Sequence, residues 1–105
     1  MLIGAAESIH DGLCREVHEE TGLDVEPVAL TGVYKNMTRG IVALVFRCKI
    51  TGGDLTTTDE ASAFRWVTDT EVADLAEEAY AVRIRDALSA DRSPAVRHHD
   101  GVHLL

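Results

Sequence analysis

Apolar positions change their spacing several times along this 105-residue chain, and each change predicts an element. Ile9, Leu13 and Val17 recur at i, i+4 and i+8, which places one stripe of a helix toward a core. Ser8 precedes them as an N-cap, and Asp11 follows at capping-box spacing in place of the usual Glu or Gln. Thr21-Gly22 ends the pattern, with Gly22 suited to the left-handed position after the last turn and Leu23 anchoring the chain beyond it. Gly12 weakens the helix, by about 1 kcal/mol relative to Ala.

Past Pro27 the pattern becomes extended. Val28 to Lys35 reads as a strand, Asn36-Met37-Thr38-Arg39-Gly40 as a hairpin loop, and Ile41 to Phe46 as a second strand. The second strand is β-branched and continuously apolar, as expected of one buried on both faces. Thr51-Gly52-Gly53-Asp54 breaks it. After a polar loop rich in Thr and Asp, Ala63-Phe64-Arg65-Trp66-Val67 alternates as a short strand. Val72, Leu75, Ala79, Val82 and Leu88 then approximate the helical period, which predicts a helix from Thr68 or Thr70 to about Leu88. Asp91 to Leu105 has no clear period and reads as a loosely held tail. The expected organisation is one α+β domain over residues 1–90 and an irregular C-terminal tail over 91–105, without repeats or a low-complexity linker.

Composition narrows the class of partner. The formal net charge is −8, whereas a protein for long nucleic acids needs a basic stripe to displace their counterions. A small nucleotide is still compatible with this acidity if cations bridge the two negative partners. With one Trp, two Tyr and two Phe, the core is expected to be aliphatic. Cys14 and Cys48 lack metal-ligand spacing and read as reduced thiols, one on the helix and one in a strand. No run approaches the roughly 20 apolar residues of a membrane span, and the first residues lack a signal peptide's basic and apolar regions. A cytoplasmic location is expected.

The chemistry concentrates in Arg15-Glu16-Val17-His18-Glu19-Glu20-Thr21-Gly22-Leu23, preceded by Glu7. In a helix Glu16 and Glu20 lie one turn apart, with Glu19 beside them, so three carboxylates crowd one face. Their repulsion is relieved by a divalent cation, and Mg²⁺ favours a few carboxylates together with water and phosphate oxygens. Arg15 adjoins Glu19 around the helix and can hold a carboxylate in a bidentate fork. A solvated acidic helix face is the ordinary explanation of such clusters. Here the spacing raises the case above it.

From Glu7 onward, through Arg15, Glu16, Val17, Glu19, Glu20, Gly22 and Leu23, the sequence resembles the Nudix signature G-x5-E-x7-R-E-U-x-E-E-x-G-U, where U is aliphatic. The resemblance implies a Nudix-type α/β/α sandwich around a mixed β-sheet. It implies that Glu16, Glu19 and Glu20 are metal ligands, that Arg15 orients a ligating Glu, and that Glu7 supports the loop or reaches the metal through water. The implied cofactor is Mg²⁺, with Mn²⁺ as a substitute. The implied reaction is water attack on the diphosphate linkage of a nucleoside diphosphate derivative or nucleoside triphosphate. Family members often add an acidic residue ahead of a strand with an aromatic-Arg-Trp ending, which points to Glu60, then Asp59, before Phe64-Arg65-Trp66. An ordinary loop acid is an equal reading of Glu60. His18 occupies a variable position and reads as a surface residue. His98 and His99 read as solvated, and Lys35 and Arg39 as basic residues flanking a hairpin, where a phosphate contact is a minor reading.

Met1 stands where the signature has Gly, and the strands that normally precede the motif are expected to be lacking. The strand around Leu44 would then have an open neighbour position. A start placed too far downstream is the preferred explanation, beside a degraded gene copy or completion by a homodimer. The competing functional reading is a catalytically impaired remnant, either a nucleotide-binding or regulatory module or an inert fragment. The identity of the nucleotide is left open.

Overall fold

The computed structural model describes residues 6–56, 77–89 and 93–105. Within them the elements are α1 (Ile9–Thr21), β1 (Leu23–Asn36), β2 (Ile41–Gly53), α2 (Glu78–Leu88) and β3 (Ala95–His99). The strands form one sheet in the order β2-β1-β3. The short turn between β1 and β2 makes a hairpin, and β3 pairs parallel with β1 from Gly32↔Ala95 to Asn36↔His99. The α+β class and the mixed sheet expected from the sequence are those observed.

The chain divides into two compact units through which β1 and β2 both run. One holds α1 with the start of β1, to Val28, and the end of β2, from Cys48. Here Ser8 caps α1 by accepting the Asp11 N–H at 3.0 Å, and Gly22 closes it with φ of 79° and its N–H on the His18 carbonyl at 2.8 Å. Thr21 reinforces the exit, its hydroxyl donating to the Val17 carbonyl at 2.6 Å and accepting the Leu23 N–H at 3.1 Å. Of the expected apolar stripe, Leu13 and Val17 are half-buried, while Ile9 is exposed. Cys14 lies on α1 and Cys48 in β2, neither of them in a disulfide, and Cys14 donates to the Val25 carbonyl at 3.3 Å.

The other unit holds Ala29 to Arg47 of the hairpin with α2 and β3. Among the described residues, its buried positions are Thr31, Tyr34, Ala79, Ala81 and His99. Gly32 lets the Tyr34 ring lie along the strand, because a Cβ at Gly32 would overlap that ring. The two residues are i and i+2 on one face. Thr31 donates across the hairpin to the Val45 carbonyl at 3.1 Å.

Several expectations are corrected. β1 begins at Leu23 and passes through Pro27, ahead of its register with β3 (Gly32 to Asn36), where a strand without a neighbour on one side, among the described residues, tolerates a missing N–H. Among the described residues β2 is an edge strand, with Ile41, Val42 and Leu44 exposed, since a continuous apolar run does not report how many faces are covered. The segment read as an irregular tail contains β3, whose inward positions are Ala95, Arg97 and His99 while Val96 is 70% exposed. His99 is therefore buried, not solvated. Its bulky apolar residue, Val96, faces out while Arg97 and His99 face in, so a hydrophobicity pattern misreads these positions. The expected strand at Ala63–Val67 and the start of the helix before Glu77 lie outside the described residues.

Candidate active site

The acidic face of α1 is organised by one guanidinium. Arg15 Nε donates to both oxygens of Glu7, at 3.2 and 3.1 Å, and Nη2 donates to Glu7 Oε1 at 2.7 Å. Nη2 also reaches Glu16 Oε1 at 3.3 Å, and Nη1 reaches Glu19 Oε2 at 3.0 Å. Arg15 thus gathers Glu7, Glu16 and Glu19, with its fork on Glu7 and not on a helical Glu. Glu7, from the turn ahead of the helix, reaches it across eight residues, whereas Glu19 is one helical turn on. The Glu7 hydrogen bonds, then those from Glu19, push the Arg15 pKa above its already high ordinary value, so its positive charge is permanent.

Burial differs among these carboxylates. The Glu16 side chain is 15% exposed and Glu7 23%, whereas Glu19 is 56% exposed. Glu20 is half-buried on the next turn. Arg15 engages one oxygen each of Glu16 and Glu19, which leaves their second oxygens and the Glu20 carboxylate as hard donors on one helical face. His18 is exposed and pairs with Asp24, Nδ1 to Oδ1 at 2.9 Å, away from this set, as its variable position suggested. Glu60 and Asp59 lie outside the described residues. Among the described residues no group of three His, Cys, Asp or Glu side chains converges into a ready metal cage.

Gly22 fixes how the chain leaves this face. A Cβ there would overlap the Asp54 carbonyl and come within 2.6 Å of Thr56 Oγ1, while Thr56 N–H bonds to the Thr21 carbonyl at 2.9 Å. The glycine is required by both its positive φ and this close approach.

The sequence matches the NUDIX domain family over residues 2–88. The chain belongs to the Nudix family. It is 54% identical over 99 residues to a MutT-like protein of Streptomyces ambofaciens, which covers 94% of this chain and 64% of that protein. It is 46% identical over 55 residues to the 8-oxo-dGDP phosphatase NUDT18 of Danio rerio, covering 52% of this chain and 17% of that protein. The chain therefore spans under two thirds of the length of either curated relative. The crystal structure of an ADP-ribose pyrophosphatase from Streptococcus suis superposes with a TM-score of 0.70 at 19% identity, covering 90% of this chain and 75% of that one. That likeness shows the Nudix fold. Residues Ala95–His99 of β3 lie beyond the family match, so the motif gave no signal for them.

Proposed function

We propose that this Nudix protein is a pyrophosphohydrolase that splits the diphosphate linkage of a nucleoside diphosphate derivative or nucleoside triphosphate by water attack. The observation that carries the reading is Arg15 holding Glu7, Glu16 and Glu19 together on α1. Such an arrangement fixes carboxylates that would otherwise repel one another and leaves one oxygen each of Glu16 and Glu19 outside its bonds. The name of the 8-oxo-dGDP phosphatase relative supports a nucleotide substrate.

The donor set fits a hard cation. All donors are carboxylate oxygens at i, i+3 and i+4 of one helix, and Mg²⁺ takes few protein ligands and completes its shell with water and phosphate. Glu16, Glu19 and Glu20 would hold it, with Mn²⁺ as a substitute. When bound, such a cation activates water and neutralises phosphoryl charge. Arg15 and Glu7 position the helical carboxylates. Glu60, or Asp59 beside it, is the proposed general base. Two cysteines outside any disulfide are compatible with a reducing, cytoplasmic setting. Among the described residues no helix is long and apolar enough to cross a membrane.

The test is hydrolysis of a nucleotide panel that includes 8-oxo-dGDP, ADP-ribose and nucleoside triphosphates. The full chain is assayed with Mg²⁺, with EDTA, and as the Glu19→Gln and Glu20→Gln variants. Cleavage by the parent with Mg²⁺, lost in EDTA and in both variants, is expected. Turnover that survives both substitutions would sink the assignment, and nucleotide affinity without cleavage would mark a binding module instead.

A further inference from the structure

Beside the turn of the hairpin is a cavity of about 450 Å³, with walls from β1, β2, α2 and the chain after β3. Its size is within the range of small-molecule sites. Several acceptors in its walls already have donors. Asn36 Oδ1 accepts the Thr38 and Arg39 N–H groups at 3.0 and 3.1 Å. The His99 carbonyl accepts the Met37 N–H at 2.7 Å, and the Asp100 carbonyl accepts the Thr38 hydroxyl at 3.0 Å. Asp100, the acidic residue of the wall, takes the Val102 and His103 N–H groups on Oδ1, each at 2.8 Å. Those contacts hold its carboxyl below the usual range and direct its charge into the loop.

The donors are the groups left over. Gly101 N–H donates to His99 Nδ1 at 2.9 Å, and a backbone N–H can only donate. The proton of the His99 ring therefore sits on Nε2. Arg83 Nη2, also a donor, stands 3.5 Å from that nitrogen, so two N–H groups face each other with no acceptor between them among the described residues. Arg83 Nε is buried without a hydrogen-bond partner among the described residues. Its guanidinium is clamped between the rings of Tyr34 and Tyr80, at 5.2 and 4.8 Å from their centroids, so it cannot swing away without losing both contacts. Arg39, exposed on the turn, adds a second permanent cation to the wall.

We propose that this cavity is an oxyanion-binding site, in which a phosphate or carboxylate group of a small molecule accepts from Arg83 and His99 Nε2 and pairs with Arg39. One oxygen between Arg83 and His99 resolves the facing donors, and Ile41, Val102 and the Tyr80 ring offer apolar surface to the body of the ligand. The inference does not depend on the chemistry proposed for α1.

The test is a titration of the ¹⁵N-labelled full chain with inorganic phosphate, and separately with acetate, followed by NMR. EDTA is present throughout, so that no cation bridges an anion to the acidic helix. Saturable shifts at the amides of Thr38, Arg39, Gly101 and Val102 are expected with one or both anions, and the comparison tells which oxyanion the site prefers. Arg39→Gln, at an exposed turn, and Arg83→Gln should each weaken the affinity by about tenfold, the scale of one charge-assisted hydrogen bond. No saturable shift at these amides with either anion would overturn the proposal. Shifts with unchanged affinity in Arg39→Gln would overturn it as well, whether or not Arg83→Gln folds.

Discussion

Arg97 grips Asp86 with two hydrogen bonds of 2.7 Å, Nε to Oδ2 and Nη2 to Oδ1, and so fastens β3 to α2. The geometry is the planar fork that suits guanidinium and carboxylate. The buried Tyr34 hydroxyl, from β1, adds a third bond to Asp86 Oδ2 at 2.8 Å. One carboxylate with 12% exposure therefore links β1, α2 and β3.

Asp86→Asn should destabilise the protein by about 2 kcal/mol, the scale of hydrogen bonds to a charged, largely buried group, and Tyr34→Phe by about 1 kcal/mol. Urea denaturation checks both. An unchanged midpoint for Asp86→Asn would show that the fork does not hold β3.

The same network sets a pH dependence at both ends. Arg97 first, helped by Tyr34 and opposed by burial, keeps the Asp86 carboxyl below the usual carboxylate range. Its contribution is full above the unfolded value of about 4 and is lost as pH falls through the lower folded value. Tyr34 shifts the other way, raised by burial first and by Asp86 second. Its contribution is full below about pH 10 and fades as pH rises through the higher folded value. Urea midpoints measured across pH should show a plateau with both limbs. Asp86→Asn should flatten the acid limb, and an unaltered acid limb would move its cause elsewhere.

Gly22→Ala places a side chain at φ of 79°, against the Asp54 carbonyl. The left-handed backbone alone costs about 1–2 kcal/mol, and the overlap adds to it. A lower melting temperature is expected, with reduced hydrolysis because the exit from the carboxylate face must shift. Melting unchanged from the parent would argue that the turn can be rebuilt without strain.

Arg15→Lys retains the charge but cannot form the fork on Glu7 while reaching Glu16 and Glu19. With Arg15 39% exposed, the fold should survive. Hydrolysis should drop by about 10–100-fold through loss of carboxylate positioning, with a raised Mg²⁺ requirement. A proportional loss at saturating and limiting Mg²⁺ would separate a general structural effect from the positioning role.

Local interactions explain what could be read without coordinates. The N-cap at Ser8, the left-handed Gly22 and the common helical face of Glu16, Glu19 and Glu20 depend on residues within a few positions of one another, so spacing alone specified them. The family signature then supplied the Arg15 partnership, although the fork went to Glu7, outside the helix, and not to a helical Glu. The hairpin turn at residues 37–40 was equally legible, because Asn36 and Gly40 act within the turn itself.

What depended on distant partners was not legible. The alternation of β3 has meaning only against β1, because Arg97 and His99 point inward to Asp86 and the backbone N–H of Gly101, whereas Val96 points out. Similarly, the apolar run of β2 could not show that Ile41, Val42 and Leu44 are exposed. The sequence by itself determined the capped helix, its acidic face and the family to which the chain belongs. Tertiary structure alone decided that Tyr34, Asp86 and Arg97 would join β1, α2 and β3 in one hydrogen-bonded network, with His99 buried beside them. Burying polar groups is favourable only once each meets its partner, and those partners come from β1, α2, β3 and the turn after it.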